Sequence, residues 1–202
     1  MNLPTKLTVL RIIMIPVFVA TFFIQFVGHY AISAAVFALA AVTDFLDGYI
    51  ARKYDMVTDL GKFLDPIADK VLVAAAFIIM LTPVGSTILP WYCSIGVSVI
   101  LARELIISGF RMVAAAKGAV ISADKSGKIK TFLQDITILA LLIAAEINPA
   151  VYSTANVIGL VLFGLSVILT VVSGAECIIK NRAVLKTEKP KDGQAEETQD
   201  KR

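Results

Sequence analysis

Long apolar stretches, broken at intervals by short polar ones, run through most of the chain. Residues 12–43, 71–102 and 147–175 contain no Asp, Glu, Lys or Arg, and at roughly 20 residues per membrane crossing each run can supply one or two spans. Breaks at Gly, Pro and charged positions predict six helical spans near residues 7–27, 30–52, 62–81, 90–116, 128–146 and 152–179. The turns at Gly28-His29-Tyr30, Thr82-Pro83-Val84-Gly85 and Asn148-Pro149 carry no Lys or Arg, whereas the other ends do: Lys6 and Arg11; Arg52, Lys53 and Lys62; Arg111, Lys117, Lys125, Lys128 and Lys130; Lys180, Arg182 and Lys186. The positive-inside rule then predicts an all-α integral membrane protein with both termini at the cytoplasmic face of the cell membrane.

Composition agrees with this reading. At 57% apolar and 17% charged residues, a water-soluble domain is a poor expectation. The apolar run after Lys6 and Arg11 is too long for a secretory leader and reads as the first retained span. Residues 181–202 turn to Lys, Glu, Asp, Gln, Pro and Gly, so a catalytic membrane domain over 1–180 is expected to end in a disordered cytoplasmic tail. Cys93 and Cys177 lie far apart, with neither metal-ligand nor disulfide spacing. His29, the only histidine, reads as a turn residue. No internal repeat supports a repeat-built transporter, and no nucleic-acid partner is expected.

Four acids fall where such a protein should avoid them. Asp44 and Asp47 lie three residues apart near the end of the second span, on one helix face; Asp65 and Asp69 lie four apart in the third. If the short connection through Arg52 and Gly61 folds the two helices into an antiparallel pair, all four carboxylates converge. Carboxylates at a bilayer edge need compensation, which basic neighbours (Arg52, Lys53, Lys62, Lys70), protons or divalent cations can supply. Spacing favours one or two hard, oxygen-seeking ions such as Mg2+ or Mn2+; a structural ion-pair network and a proton or ion pathway stay open. Gly48, Ala51 and Gly61 allow a close approach there, by another helix or by a nucleotide.

The run Asp44-x-x-Asp47-Gly48-x-x-Ala51-Arg52, eight residues, then Gly61-x-x-x-Asp65-x-x-x-Asp69 resembles the signature of the CDP-alcohol phosphotransferase family. The resemblance implies a six-helix membrane fold, a homodimer and two divalent cations, Mg2+ or Mn2+, held by Asp44, Asp47, Asp65 and Asp69. It also makes Asp69 the general base and places Gly48, Ala51, Arg52 and Gly61 at the CDP moiety. The residues 2–11, the Arg103-Glu104 pair, Ser108-Gly109-Phe110-Arg111 and Gly127-Lys128-Ile129-Lys130-Thr131 are similar to the bacterial subgroup that joins CDP-diacylglycerol to sn-glycerol 3-phosphate.

A phosphate-bearing acceptor needs cations, and Arg111, Lys125, Lys128 and Lys130 cluster at the basic ends of spans four and five. Arg111 and Lys128 are the stronger candidates; contacts to anionic membrane lipids are the competing role for all four. Arg103 lies deep in span four, with Glu104 expected to point elsewhere, so a buried partner is expected for it: structural pairing with a group such as Asp135 is favoured, and the active-site carboxylates or the substrate phosphate are the alternative. Two rivals remain: the same chemistry on inositol phosphate or serine, and a divalent-ion transporter, which would scatter acids along several spans. A scaffold gives the four aspartates no reason to exist.

Overall fold

A computed structural model describes residues 3–53, 59–83, 88–116, 125–147 and 154–182, with side chains described for 7–44, 67–83, 88–115, 126–147 and 155–182. The described residues form six helices and no strand: α1 (Leu3–Phe23), α2 (His29–Lys53), α3 (Asp59–Met80), α4 (Cys93–Ala116), α5 (Lys125–Ile147) and α6 (Thr154–Lys180). The tail from residue 183 onward lies outside them.

Each helix overlaps an expected span, and the boundaries move for local reasons. Helix α1 starts at Leu3 rather than 7 because Pro4 suits a first turn, where its missing N–H has no helical partner to lose. It stops at Phe23 rather than 27, and the reversal that follows uses Gly28 at φ +88°, a conformation that glycine adopts without steric cost. His29 and Tyr30 then belong to α2, not to the turn. His29 Nδ1 lies 2.9 Å from the Phe26 carbonyl, so its role is the local one expected. At the start of α4, Pro90-Trp91-Tyr92 form a turn closed by Cys93 N–H donating to the Pro90 carbonyl at 2.9 Å.

Apolar side chains fill the core and also cover much of the outside, while a few polar groups lie buried. Large apolar groups face outward on every helix, among them Ile13, Leu39, Ile78, Leu105, Ile143 and Leu165, while Thr8, Arg11, Lys130, Gln134, Thr170 and Ser173 are buried. Such an arrangement is stable where the surroundings are hydrocarbon and the interior must satisfy the polar groups. Helices α4 and α6 are long and apolar enough over Cys93–Ala115 and Ala155–Lys180 to cross a membrane. Cys93 and Cys177 are both free and buried.

The packing order differs from the expected antiparallel pair of α2 and α3. Among the described residues α1 packs broadly along α2 and also along α3, whereas α2 and α3 meet only sparsely. One core runs from Phe18 and Phe37, with ring centroids 5.7 Å apart, to Phe77 and Phe163 at 5.6 Å. Helix α5 packs on α2 and α6, and α4 on α6, but α3 touches α4 and α5 only lightly. That light contact leaves the space in which the site lies.

Candidate active site

Helix geometry sets the depth of the functional groups. At 1.5 Å per residue, Asp44 lies about 14 Å before the end of α2, and Asp69 and Lys130 lie about 15 Å and 8 Å after the starts of α3 and α5. These are the helix ends that carry the basic residues, so the groups form a vestibule set in from that face.

Among the described residues, Asp44 finds a charge partner on α1. Arg11 of α1, with no exposed surface, places Nη1 2.8 Å from Asp44 Oδ1, while the Asp44 side chain keeps 42% of its surface exposed. Helix α1 lies against both α2 and α3, and the Arg11 charge is felt at Asp69 of α3 as well. Arg11 and Asp44, together with Lys130 of α5 and Glu104 of α4, are close enough to act electrostatically on Asp69. Asp44 of α2 and Asp69 of α3 therefore share one electrostatic neighbourhood, in which Arg11 of α1 offsets their mutual repulsion.

Beside them a cavity of about 240 Å³ opens between α3, α4 and α5. Asp69, Lys70, Glu104, Lys130, Thr131 and Gln134 form its polar part, and Val73, Ala74, Ile100 and Leu101 are among the residues of its apolar wall. Lys70 Nζ donates to Ser108 Oγ at 2.5 Å, and Ser108 Oγ donates to the Glu104 carbonyl at 2.5 Å. Lys130 donates to Glu104 Oε1, the oxygen that also accepts from Arg103 Nη1 at 3.2 Å. Arg103 Nη2 donates to Ser173 Oγ of α6 at 2.9 Å.

The expectation for Arg103 is thus corrected in its partner. It is paired inside the bundle, but with adjacent Glu104 and with Ser173 rather than with Asp135. Glu104 turns toward Arg103 because the buried ammonium of Lys130 draws its carboxylate inward. Asp135 instead feels Asp69, Asp44 and Lys130. Of the expected acceptor cations, Lys130 is 3% exposed and lines the cavity, Arg111 is half-buried on α4, and Lys128 faces outward. Lys125 opens α5, its side chain outside those described. Asp47, Gly48, Ala51 and Arg52 fall on the helical backbone of α2, and Gly61 and Asp65 on that of α3, likewise with side chains outside the described set.

Arg11, Lys70 and Glu104 were not singled out as site residues. For Arg11 a signal exists: no other charged residue lies between Lys6 and Asp44, and it sits about 12 Å into α1, deeper than a charge that only sets topology requires.

A family model for CDP-alcohol phosphatidyltransferases matches residues 1–172. The chain belongs to that family. A phosphatidyltransferase of this family in Bacillus subtilis (strain 168), named CDP-diacylglycerol--glycerol-3-phosphate 3-phosphatidyltransferase, is 41% identical over 199 residues, covering 92% of this chain and 98% of the relative. Proteins of the same name in Rickettsia felis and Salmonella typhi are 36% and 39% identical, over 86% and 70% of this chain and 91% and 76% of their own lengths. The matched region takes in both halves of the aspartate motif, Arg11 and the whole cavity lining.

The motif's donor chemistry fits the divalent ions that the family resemblance implies. Asp44 and Asp69 offer hard carboxylate oxygens of the kind Mg2+ and Mn2+ prefer, and Arg11 engages Asp44 through one of them, Oδ1. Among the described residues no three potential ligands come together; Asp47 and Asp65 lie outside the set whose side chains are described.

Proposed function

We propose that this membrane enzyme transfers the phosphatidyl group of CDP-diacylglycerol to sn-glycerol 3-phosphate, forming phosphatidylglycerophosphate and CMP. The observation that carries this reading is the meeting of Asp69 with a buried cation, Lys130, at one cavity that also has an apolar wall. The acid serves the reacting hydroxyl, the cation serves a phosphate-bearing acceptor, and the apolar wall suits a lipid donor. Relatives named for this reaction over nearly their full length support it.

Asp69 takes the proton of the acceptor hydroxyl as its oxygen attacks the phosphorus bearing the diacylglycerol, in line with the departing CMP. One P–O bond forms and one breaks, with no covalent enzyme intermediate. Asp44, Asp47, Asp65 and Asp69 would hold two divalent cations, Mg2+ or Mn2+. Bound there, such ions neutralise charge on the pyrophosphate and favour ionisation of the hydroxyl. Gly48, Ala51, Arg52 and Gly61 receive the CDP moiety, with bare backbone and a guanidinium suited to phosphate. Lys130 binds the acceptor's phosphate from within the cavity, and Arg111, Lys125 and Lys128 guide it in from the vestibule.

Six spans put both termini and the site at the cytoplasmic face of the membrane, where the soluble acceptor is found, and the enzyme works as a homodimer. The test is radiolabelled transfer by purified protein from CDP-diacylglycerol to glycerol 3-phosphate, inositol phosphate and serine, each with and without chelator. Efficient transfer to glycerol 3-phosphate alone, lost in chelator and restored by Mg2+ or Mn2+, is expected. Preference for another acceptor, or full activity in chelator, would overturn the corresponding part.

A further inference from the structure

The cavity's polar groups come from three helices, and among the described residues α3 touches α4 and α5 only lightly. Helix packing alone therefore leaves the distance between Asp69 on α3 and Lys130 on α5 loosely set, and side chains must tie the walls together. Glu104 is where the ties meet. It lies near the middle of α4, about 18 Å before that helix's end, where an acid is costly and calls for a role.

One oxygen of Glu104, Oε1, accepts from Lys130 and from Arg103. Arg103 is itself braced from α6, through Ser173 and by close contact with Gly174, where even a Cβ would lie 3.0 Å from Arg103 Cγ and Nε. The carboxylate is thus fixed from one side and holds a flexible lysine on the other. One turn further along α4, Ser108 joins the Glu104 carbonyl to Lys70 on α3. Of the charged residues that line the cavity, Lys70 and Lys130 face Asp69 and Glu104, so the cations are held in place by acids of the same wall.

We propose that Glu104 is a positioning residue that clamps Lys130 of α5 to α4, presenting its ammonium at the cavity beside Asp69 for the phosphate of the acceptor. This rests on the reading of Lys130 as an acceptor-phosphate cation. Without Glu104, the long lysine side chain loses its fixed partner and re-orients, and the cost falls on acceptor binding rather than on the donor.

Full-length enzyme in lipid or detergent, carrying Glu104→Gln, Lys130→Gln or both, tests this through kcat and through KM for each substrate. A charged hydrogen bond is worth roughly 10- to 100-fold, so either single change is expected to raise KM for glycerol 3-phosphate by about that factor while KM for CDP-diacylglycerol changes little. The double variant is expected to match Lys130→Gln alone, because Glu104 acts through that lysine. Glu104→Asp, with shorter reach, is expected to recover part of the loss. If Lys130→Gln raises the acceptor KM but the two effects multiply, or Glu104→Gln raises both substrates' KM equally, the positioning role is overturned and the reading of Lys130 stands. An unchanged acceptor KM in Lys130→Gln overturns both. Should Glu104→Gln alone not fold, comparing Lys130→Gln with the neutral double variant still decides.

Discussion

Asp44 and Asp69 are held differently, and their substitutions should report different things. Asp44 forms an ion pair with a fully buried guanidinium, so Asp44→Ala removes one half of that pair as well as a proposed metal ligand. The expected result is loss of transfer together with a loss of stability of about 2 kcal/mol, read as earlier thermal unfolding in detergent; an unfolding curve matching the wild type would show that the pair contributes nothing to folding. Asp69 stands at the cavity as the proposed base. Asp69→Asn is expected to cut turnover by about 10²- to 10⁴-fold while CDP-diacylglycerol still binds, and near-normal turnover would remove the base assignment.

At the scale of helices, close approach is set by individual glycines. A Cβ on Gly159 of α6 would meet Leu141 Cδ2 of α5 at 2.5 Å and Cγ at 3.0 Å, whereas one on Gly164 would meet nothing within 4 Å. Gly159→Ala should therefore push α5 and α6 apart at a cost of about 1–3 kcal/mol, and Gly164→Ala should leave the unfolding temperature near that of wild type; equal behaviour of the two would contradict this packing. All six helices were legible beforehand, because uncharged runs and basic ends mark spans strongly. The neighbour order was not. A short loop between Arg52 and Gly61 suggests that α2 and α3 pair, but both bear acids, and packing α1 with its Arg11 against both offsets a repulsion that hydrophobic pattern does not register. The Arg103–Glu104 contact was equally hidden, since adjacent helical residues point about 100° apart and only a third group, Lys130, makes their convergence worthwhile. The aspartate motif was read from spacing and resemblance, and two of its four acids, Asp44 and Asp69, are placed here in one electrostatic neighbourhood.

For the molecule as a whole, the large apolar groups that face outward from every helix make the lipid-facing side a sensitive one. Leu165 is half exposed near the middle of α6, and Leu165→Lys is expected to disfavour insertion by about 2.5–3.5 kcal/mol, measurable as a smaller membrane-integrated fraction; unaltered integration would mean that this face does not meet lipid. The placement of α1 also bears on how the enzyme comes into being. The signature from Asp44 to Asp69 is not a portable cassette: transplanted into another bundle, it would bring its acids without the guanidinium that offsets their repulsion. A growing chain meets the same requirement in the right order, because Arg11 leaves the ribosome before any of the aspartates and the cation is already present when the first acid must enter the bilayer.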